Sequence, residues 1–505
     1  MPHLFSRLAC SLPLLAALSG CTTAAPMLKE ADTVAVLNRL TWGVNDSTLR
    51  QASEMGINRY VQLQLHPPKE TLPAEIQSRL AAMSINEQPI DELLREVEQA
   101  RKEFKNAAAD DKTMARKDYQ AELNQLAKEA ASRSLLRAIY SPNQLQEQLT
   151  WFWLNHFNVH QGKGNLRALV GDYEERAIRP HALGKFRDLL SATAHHPAML
   201  RYLDNVQNAR ERINENYARE LMELHTLGVG SGYTQRDVQE LARILTGVGV
   251  STDRTPPRIR PALQAQYVRQ GLFEFNPNRH DYGDKVFLGE TVRGRGLAEV
   301  DDAINRLARH PATARFISRK LATYFVADEP SPALVERMAA TFLSSDGDIA
   351  AIMETMIASS EFTASLGRKF KDPQHFAVGA IRLAYDSAPV DNLGVLLGWL
   401  NRMGEPLYGH QTPDGYPLVQ SAWASSGQMT TRFDIARILG TGRSGLVPVD
   451  VEGGPKARVP QLSATLTWQQ LKPTFSAATR QALDQAASPQ DWNTYFIAAP
   501  EMMYR

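Results

Sequence analysis

Apolar residues recur at helical spacing along most of this 505-residue chain. Near its start, Val34, Leu37 and Leu40 are three residues apart, which places their side chains on one face of a helix. The same kind of spacing predicts helices over residues 166–178, 185–194, 214–227, 235–245, 297–308, 313–325, 334–342 and 349–358. We therefore predict a mainly α fold, built as a large multi-helix globular unit.

Strands are expected in one place. Residues 272–275 and 285–288 flank residues 276–284, a segment rich in Asn, Pro, Gly and Asp. Turn-forming residues between two short apolar runs are typical of a β-hairpin. We predict one small β-hairpin at the edge of the helical body and little other strand.

Residues 91–137 form a highly charged segment that still has a helical pattern. The apolar residues at alternating steps of four and three are Leu93, Val97, Ala100 and Phe104. The pattern predicts an inserted charged helical hairpin, broken near residues 107–111. Two interpretations stay open: a coiled-coil arm for a partner, or a solvated helix pair lying on the body.

The N-terminus has the parts of a lipoprotein signal peptide. Arg7 supplies positive charge, residues 8–18 form an apolar run too short to span a bilayer, and small residues precede Cys21. We predict a signal peptide over residues 1–20, acylation of Cys21 and a lipidated tether over residues 21–30. The alternative is a chance cysteine in an ordinary secretory signal.

The predicted anchor determines the expected location. Acylated Cys21 would make the membrane a partner of the protein through its lipid. Thr22 stands where lipoproteins retained at the inner membrane commonly have Asp. We therefore expect a lipid-anchored protein of the cell envelope, at the outer membrane and facing the periplasm or the surface.

Composition excludes two function classes. The chain's two cysteines are Cys10, inside the predicted signal peptide, and Cys21, so the mature part has no thiol for a disulfide, a nucleophile or a zinc site. Stability then has to come from burial, and 43% hydrophobic residues can supply a large core. The formal net charge is +1 and no basic cluster stands out, so no nucleic-acid partner is expected.

Familiar catalytic and cofactor motifs do not identify a reaction. Gly440, Gly442 and Gly445 match a dinucleotide-binding pattern, but they follow a predicted helix where that motif needs a strand. The G-x-S-x-G and H-E-x-x-H signatures are absent. Cofactor and metal stay unknown, and we divide the mature chain into a helical domain over residues 31–440 and an irregular and helical C-terminal segment over residues 441–505 packed on it.

Polar residues gather in three otherwise apolar helical segments. The candidate catalytic residues there are His156 in the first, Glu174, Arg179 and His181 in the second, and Asn216, Arg219, Glu220, Glu223 and His225 in the third. In the third segment, four of them are spaced three or four residues apart and share one helix face. A buried helix keeps such a polar stripe only if its members are paired.

These segments resemble the bacterial family called domain of unknown function 1800. The resemblance rests on residues 151–157, 178–184, 214–221 and 224–228, followed by 232–235, and it extends from about Leu37 to residues 415–417. It implies a shared fold and export. It also implies an exported sulfatase-like partner, since genes of that second family often neighbour those of the first. The family carries no assigned chemistry.

Two hypotheses follow for the polar residues. In the first, they converge in one pocket of an envelope hydrolase acting on glycan or peptidoglycan, as acid and base or as metal ligands, with Arg179 or Arg219 holding an anionic substrate. In the second, the protein is a non-catalytic envelope binding or assembly protein, and the same residues form a structural network that fixes helix packing. A structural network predicts the same residue types, so both hypotheses stay open.

Overall fold

The structure is a computed structural model that describes residues 28–447 and 459–505, apart from the side chain of Asp110. The predicted signal peptide over residues 1–20 and the predicted lipidation of Cys21 lie outside the described residues, as do residues 448–458 of the C-terminal segment. Of the described residues, 62% are helical and 5% are in strands, which confirms the mainly α fold class.

The described residues form 23 α-helices. Those in the first half are α1 Thr33–Leu40, α2 Asp46–Met55, α3 Ile57–Leu65, α4 Ala74–Ala81, α5 Ile90–Asn106, α6 Ala109–Tyr140, α7 Gln144–His156, α8 Val170–Asp172, α9 Phe186–His195, α10 Pro197–Tyr202, α11 Asn216–Glu223 and α12 Gln235–Ile244. Those in the second half are α13 Leu297–Arg309, α14 Pro311–Phe325, α15 Pro332–Ser344, α16 Ile349–Ile357, α17 Ser360–Ser365, α18 Pro373–Tyr385, α19 Leu393–Arg402, α20 Ser426–Gly440, α21 Leu466–Leu471, α22 Ala477–Asp484 and α23 Pro489–Ala498. None of them is both long and apolar enough to cross a membrane.

Five short strands make two small antiparallel sheets. They are β1 Val248–Val250, β2 Val268–Gln270, β3 Phe273–Phe275, β4 Lys285–Phe287 and β5 Glu290–Val292. The first sheet has the order β1-β3-β2, with Val248 and Val268 both opposite Phe275, and the second pairs β4 with β5, with Lys285 opposite Val292.

The strands predicted at residues 272–275 and 285–288 are present as β3 and β4, but the prediction that they pair with each other in one hairpin was wrong. Strand β3 turns back to β2 through Gly271, whose φ is +57°, and β4 turns to β5 through Leu288 and Gly289, whose φ values are +51° and +80°. Two-residue turns with positive φ match the twist of paired strands. The turn-rich segment over residues 276–284 links the two sheets instead.

The charged helical hairpin is confirmed as α5 and α6, although α6 continues beyond the predicted end to Tyr140. Across the pair, the Phe104 and Tyr119 rings lie 5.1 Å apart. Glu98 of α5 accepts hydrogen bonds from Arg201 at 2.6 Å and from Thr252 at 2.6 Å. These contacts attach the hairpin to the body and favour a helix pair lying on it.

Helix α7 is the centre of the core. Every residue of α7 except Gln146 is buried, and Trp153 packs against Phe157 and Phe186. The indole nitrogen of Trp153 donates to the main-chain oxygen of Ala182 at 3.0 Å, so the one polar atom of that side chain is satisfied. The helix ends at His156, which places the candidate residue against the core.

The segment after α7 differs from its prediction. One helix was expected over residues 166–178, but the chain forms a 3₁₀ turn, the short α8 and a π-helix over Tyr173–Ile178. A Cβ atom on Gly171 would lie 2.9 Å from the Ala130 side chain of α6, so the two segments approach very closely there. Arg133 of α6 also donates to the Gly171 carbonyl at 2.5 Å. Both contacts compete with a regular helix.

The C-terminal segment contacts the helical body through α20 and α23. Asn493 of α23 donates to the main-chain oxygens of Gly440 at 3.2 Å and Pro460 at 2.7 Å. A Cβ on Gly440 would meet the Thr494 side chain at 2.7 Å. The glycine at the end of α20 therefore permits a close helix approach. The domain boundary at residue 441 stays a prediction.

Candidate functional site

His156 and His225 lie together at the end of α7. The Nε2 atom of His156 is 3.0 Å from the main-chain oxygen of His225, and the two rings are 6.1 Å apart. Both side chains are buried beside Phe157. Burial, and after it the charge of Lys320, lowers the pKa of His225 to about 3 and that of His156 well below its ordinary value. Both rings are therefore neutral near pH 7, and Nε2 of His156 donates to the carbonyl.

The polar face of α11 is partly exposed. Arg219 pairs with Glu215 at 3.2 Å and with Glu223 at 3.5 Å, each one helical turn away. Asn216 begins the helix and donates from Nδ2 to the Leu203 carbonyl at 3.1 Å. Three members of the predicted stripe thus have local partners, and the stripe lies at the surface instead of inside the core.

Glu220 differs from the rest of that face. In the described part of the chain its carboxylate has no hydrogen bond and no ion pair within 4 Å. Burial first, and then the negative charges of Glu223 and Asp414, raise the pKa of Glu220, against the opposing charge of Arg219. An unpaired, partly buried carboxylate with a raised pKa has the properties of a proton donor.

Asp414 lies near Glu220 but has the opposite environment. Thr412 donates to its Oδ1 at 2.6 Å, and His410 Nε2 is 3.1 Å from the same oxygen. Burial opposes ionisation of this carboxyl, but the Thr412 and His410 contacts outweigh burial and lower its pKa. Its side chain is 60% exposed, so this carboxylate faces solvent.

Asn155 fixes the loop that carries Asp414. Its Nδ2 donates to the Tyr416 carbonyl at 2.9 Å, and its Oδ1 accepts from the Tyr416 amide at 2.6 Å. Asn158 adds a bond to the Thr412 carbonyl at 2.7 Å. Gly415 has φ +77°, and a Cβ there would lie 2.1 Å from the Asn155 carbonyl oxygen. Only glycine fits this close approach.

Lys320 of α14 lies near Asp414 and the two histidines. Burial lowers its pKa to about 8, against the opposing charge of Asp414. Its charge also lowers the pKa of His156 and His225, so the ammonium acts electrostatically on both histidines as well as on Asp414. The side chain is only partly exposed and lies over the Phe316 ring at 5.6 Å. The site therefore combines two carboxyl groups whose pKa values are shifted in opposite directions with a cation.

The predicted residue Arg179 lies elsewhere. It binds Glu147 at 2.7 Å and Glu70 at 2.8 Å, and burial is outweighed by these carboxylates and by Glu175, which raise its pKa. Glu147 is near the start of α7 and His156 is at its end, which corresponds to about 14 Å along a helix. Arg179 belongs to a separate ionic network that joins α6, α7 and the segment after α8.

Glu174 and His181 are also apart from the α11 group. Glu174 is buried and accepts from the Tyr408 hydroxyl at 2.5 Å, and burial raises its pKa. His181 is half-buried, and burial lowers its pKa. In the described part of the chain no hydrogen bond links Glu174, Arg179 or His181 to side chains of α11. The structure thus pairs His156 with His225, and it places Asn216, Arg219, Glu220 and Glu223 together on α11.

Sequence reasoning missed Asp414, His410 and Lys320. In the sequence, residues 410–417 have the glycine and prolines of an ordinary loop, and Lys320 lies in an ordinary amphipathic helix. No spacing along the chain connects these residues with Glu220. Asn155 could have pointed to this loop, because a buried side-chain amide needs hydrogen-bond partners, and here they come from Tyr416.

A second missed group is a cluster of ionisable residues, each less than 10% exposed. Its members are Arg39, Asp372, His375, Glu405, Arg432 and Arg505. Arg505 Nη1 is 2.6 Å from His375 Nε2, and His375 Nδ1 is 2.7 Å from Asp372. Burial, with the nearby charge of Arg505, lowers the pKa of His375 to about 4, so its neutral ring accepts from arginine and donates to aspartate. These contacts connect α18 to the C-terminal residues.

No group of three or more His, Cys, Asp or Glu side chains within residues 28–447 and 459–505 is arranged to hold a metal ion.

Comparisons with known proteins give a family and no activity. No curated protein and no solved structure matches the chain. The model of the family described as protein of unknown function DUF1800 matches residues 35–504, which extends past the motifs at residues 415–417 and includes the C-terminal segment. Because this match covers nearly the whole chain, the chain belongs to the DUF1800 family of proteins of unknown function.

Proposed function

We propose that this chain is an envelope hydrolase acting on glycan, with Glu220 as the proton donor and Asp414 as the base. The observation that supports it is the opposite displacement of two neighbouring carboxyl pKa values, raised in Glu220 and lowered in Asp414. Environments that separate two carboxyl groups in this way assign one to each half of acid–base catalysis.

The proposed reaction is hydrolysis of a glycosidic bond. Glu220 donates its proton to the glycosidic oxygen as the bond from that oxygen to the anomeric carbon breaks. Asp414 accepts a proton from the water that attacks the same carbon, so the products are a hemiacetal and an alcohol. Proton exchange with solvent then restores the protonated Glu220 and the ionised Asp414.

Lys320 is the proposed contact for an anionic part of the substrate. Arg179, one of the two arginines first considered for that role, is occupied by Glu147 and Glu70. Arg219 is shared between Glu215 and Glu223. Lys320 has no ion pair within 4 Å in the described part of the chain, and its pKa of about 8 leaves it mostly charged near neutral pH.

The same proposal includes the location of the protein, anchored by a lipid in the cell envelope. The apolar run over residues 8–18 and the small residues before Cys21 support export and acylation. A lipid anchor would hold the hydrolase next to the envelope polymers on which it acts. The exported sulfatase-like partner stays a proposal that rests on the family resemblance.

The test is glycan turnover by matched variants. We expect the full chain to release reducing ends from purified peptidoglycan, and Glu220→Gln and Asp414→Asn each to lower kcat by about a hundredfold or more. Glu211→Gln is the control, because Glu211 precedes α11 and its side chain is 82% exposed.

The alternative is a non-catalytic binding or assembly protein, and the fully paired Arg179 network is the observation that favours it. If Glu220→Gln lowers only the melting temperature, or if the wild-type chain releases no reducing ends, the hydrolase proposal fails. A Glu220→Gln variant that folds normally and keeps full turnover would contradict it equally.

A further inference from the structure

We propose that the α5–α6 hairpin carries a groove that binds a phosphate group, separate from the hydrolytic site. The groove has a volume of about 610 Å³ and lies near the turn of the hairpin. Its walls are α5, α6 and the loop at Gly164 and Asn165. The proposal rests on the charges and the unused hydrogen-bond donors of this groove.

Four cationic side chains line the groove. Arg101 and Lys105 are one turn apart on α5, and Lys112 and Arg116 are one turn apart on α6, so each pair shares a helix face. None of the four has a salt bridge within the described ranges, and none of the described lining residues is acidic. The described lining of the groove therefore has a net positive charge.

The floor adds hydrogen-bond donors. Asn165 is 3% exposed, its Oδ1 accepts from the Tyr119 hydroxyl, and its Nδ2 has no partner among the described residues. The side-chain oxygen of Gln120 is taken by Arg167 at 2.7 Å, which leaves the Gln120 amide group as a donor. A buried donor without a partner is costly, and an anion in the groove would remove that cost.

Together these groups fit phosphate better than a carboxylate. Guanidinium, ammonium and amide donors on three sides match a group with several acceptor oxygens and more than one negative charge. Two acidic residues, Glu98 and Glu122, act on the groove from outside its lining, and their charges raise the pKa of the lining residue Tyr119. Glu98 is bound by Arg201 at 2.6 Å, so its charge is already compensated.

The phosphate has two possible sources, the headgroup of an anionic lipid or free phosphate. The test is isothermal titration calorimetry of the full chain in neutral detergent, with inorganic phosphate and glycerol 1-phosphate as the probes. We expect both to bind. Tighter binding of glycerol 1-phosphate would identify the headgroup as the source, and tighter binding of inorganic phosphate would identify the free ion.

Variants of the groove make the test specific. Asn165→Asp keeps the oxygen that accepts from Tyr119 but replaces the unpartnered amide with a negative oxygen, so we expect binding to be lost without a lower melting temperature. Lys105→Gln and Lys112→Gln should each weaken binding by about tenfold. Lys102→Gln and Lys117→Gln remove the same charge from the same helices outside the groove lining and should bind as the wild type does.

Two results would overturn the proposal. One is the absence of binding of either probe to the wild-type chain at low salt, where electrostatic attraction is strongest. The other is unchanged affinity in Asn165→Asp, with its melting temperature unchanged, because that variant alters the donor on which the proposal depends.

Discussion

Asn155 shows how one side chain can determine the position of a distant carboxylate. It binds the amide and the carbonyl of Tyr416 and so fixes the loop that contains Asp414. The opposite side of this contact is Gly415, whose backbone approaches the Asn155 carbonyl more closely than any residue with a Cβ allows. The geometry of the site thus depends on a residue that performs no chemistry.

We expect Gly415→Ala to lower the free energy of unfolding by about 2 kcal/mol, because it combines positive φ with a steric clash. Glycan hydrolysis should fall by about tenfold as the loop shifts. Thermal denaturation and kcat measure the two effects. The control is Gly404→Ala, where φ is +85° but no atom lies within 4 Å of the added Cβ. Equal stability loss in the two variants would show that the clash with Asn155 does not matter.

For individual residues, the sequence was sufficient to select His156, Glu220 and His225, because charged and imidazole groups in apolar segments are unusual. It could not assign their roles. The pKa of Glu220 depends on Asp414 and the position of Asp414 depends on Asn155, and both relations join residues that are distant along the chain.

Among the elements, α5 was predictable because its apolar residues keep one helical period over several turns. The positions of β3 and β4 were predictable too, but the pairing of the strands was not, because each has three residues, too few for an alternating pattern to establish register. Helix α11 ends at Glu223, four residues before its predicted end, so that His225 turns back towards α7. The pairing of His156 with His225 depends on that early end.

The ionic network at the start of α7 should stabilise the packing of the helices that it joins. Arg179→Met should lower the free energy of unfolding by about 3 kcal/mol, because it leaves the buried carboxylate of Glu147 without its cation. Arg176→Met is the matched control, since Arg176 is 70% exposed and its pair with Asp172 should contribute less than about 1 kcal/mol. Denaturant unfolding measures both.

The same variant separates the structural from the catalytic interpretation of Arg179. We expect Arg179→Met to keep the wild-type kcat at temperatures where it stays folded. A variant with wild-type stability and no turnover would instead place Arg179 at the substrate, as the single-pocket hypothesis has it.

For the whole molecule, the sequence was sufficient for the fold class and the family, because both depend on patterns spread along the chain. It was not sufficient for the separation of the polar residues. Arg179 and Glu220 lie in neighbouring predicted segments, yet one pairs near the start of α7 and the other lies on α11 beside the Asp414 loop. In the folded protein, Arg179 belongs to the ionic network at the start of α7, and Glu220 belongs to the site on α11.

The predicted lipid anchor would determine where the whole molecule is located. Cys21→Ser should move the protein from the membrane fraction to the soluble periplasmic fraction and abolish labelling with radioactive palmitate, because acylation needs the thiol. Phase separation in detergent and the labelling experiment measure the change. Unchanged membrane partition in Cys21→Ser would mean that something other than a lipid at this residue holds the protein.

The most direct test of the acid–base pair is the pH dependence of kcat/KM for glycan hydrolysis. The reaction needs Asp414 ionised and Glu220 protonated. Because the pKa of Asp414 lies below its ordinary 3.8 and that of Glu220 above its ordinary 4.5, we predict a bell with its acid limb below 3.8 and its alkaline limb above 4.5. Asp414→Asn should remove the acid limb from the residual activity, and Glu220→Gln the alkaline limb. A profile that keeps both limbs in both variants would contradict the assignment of these two carboxylates.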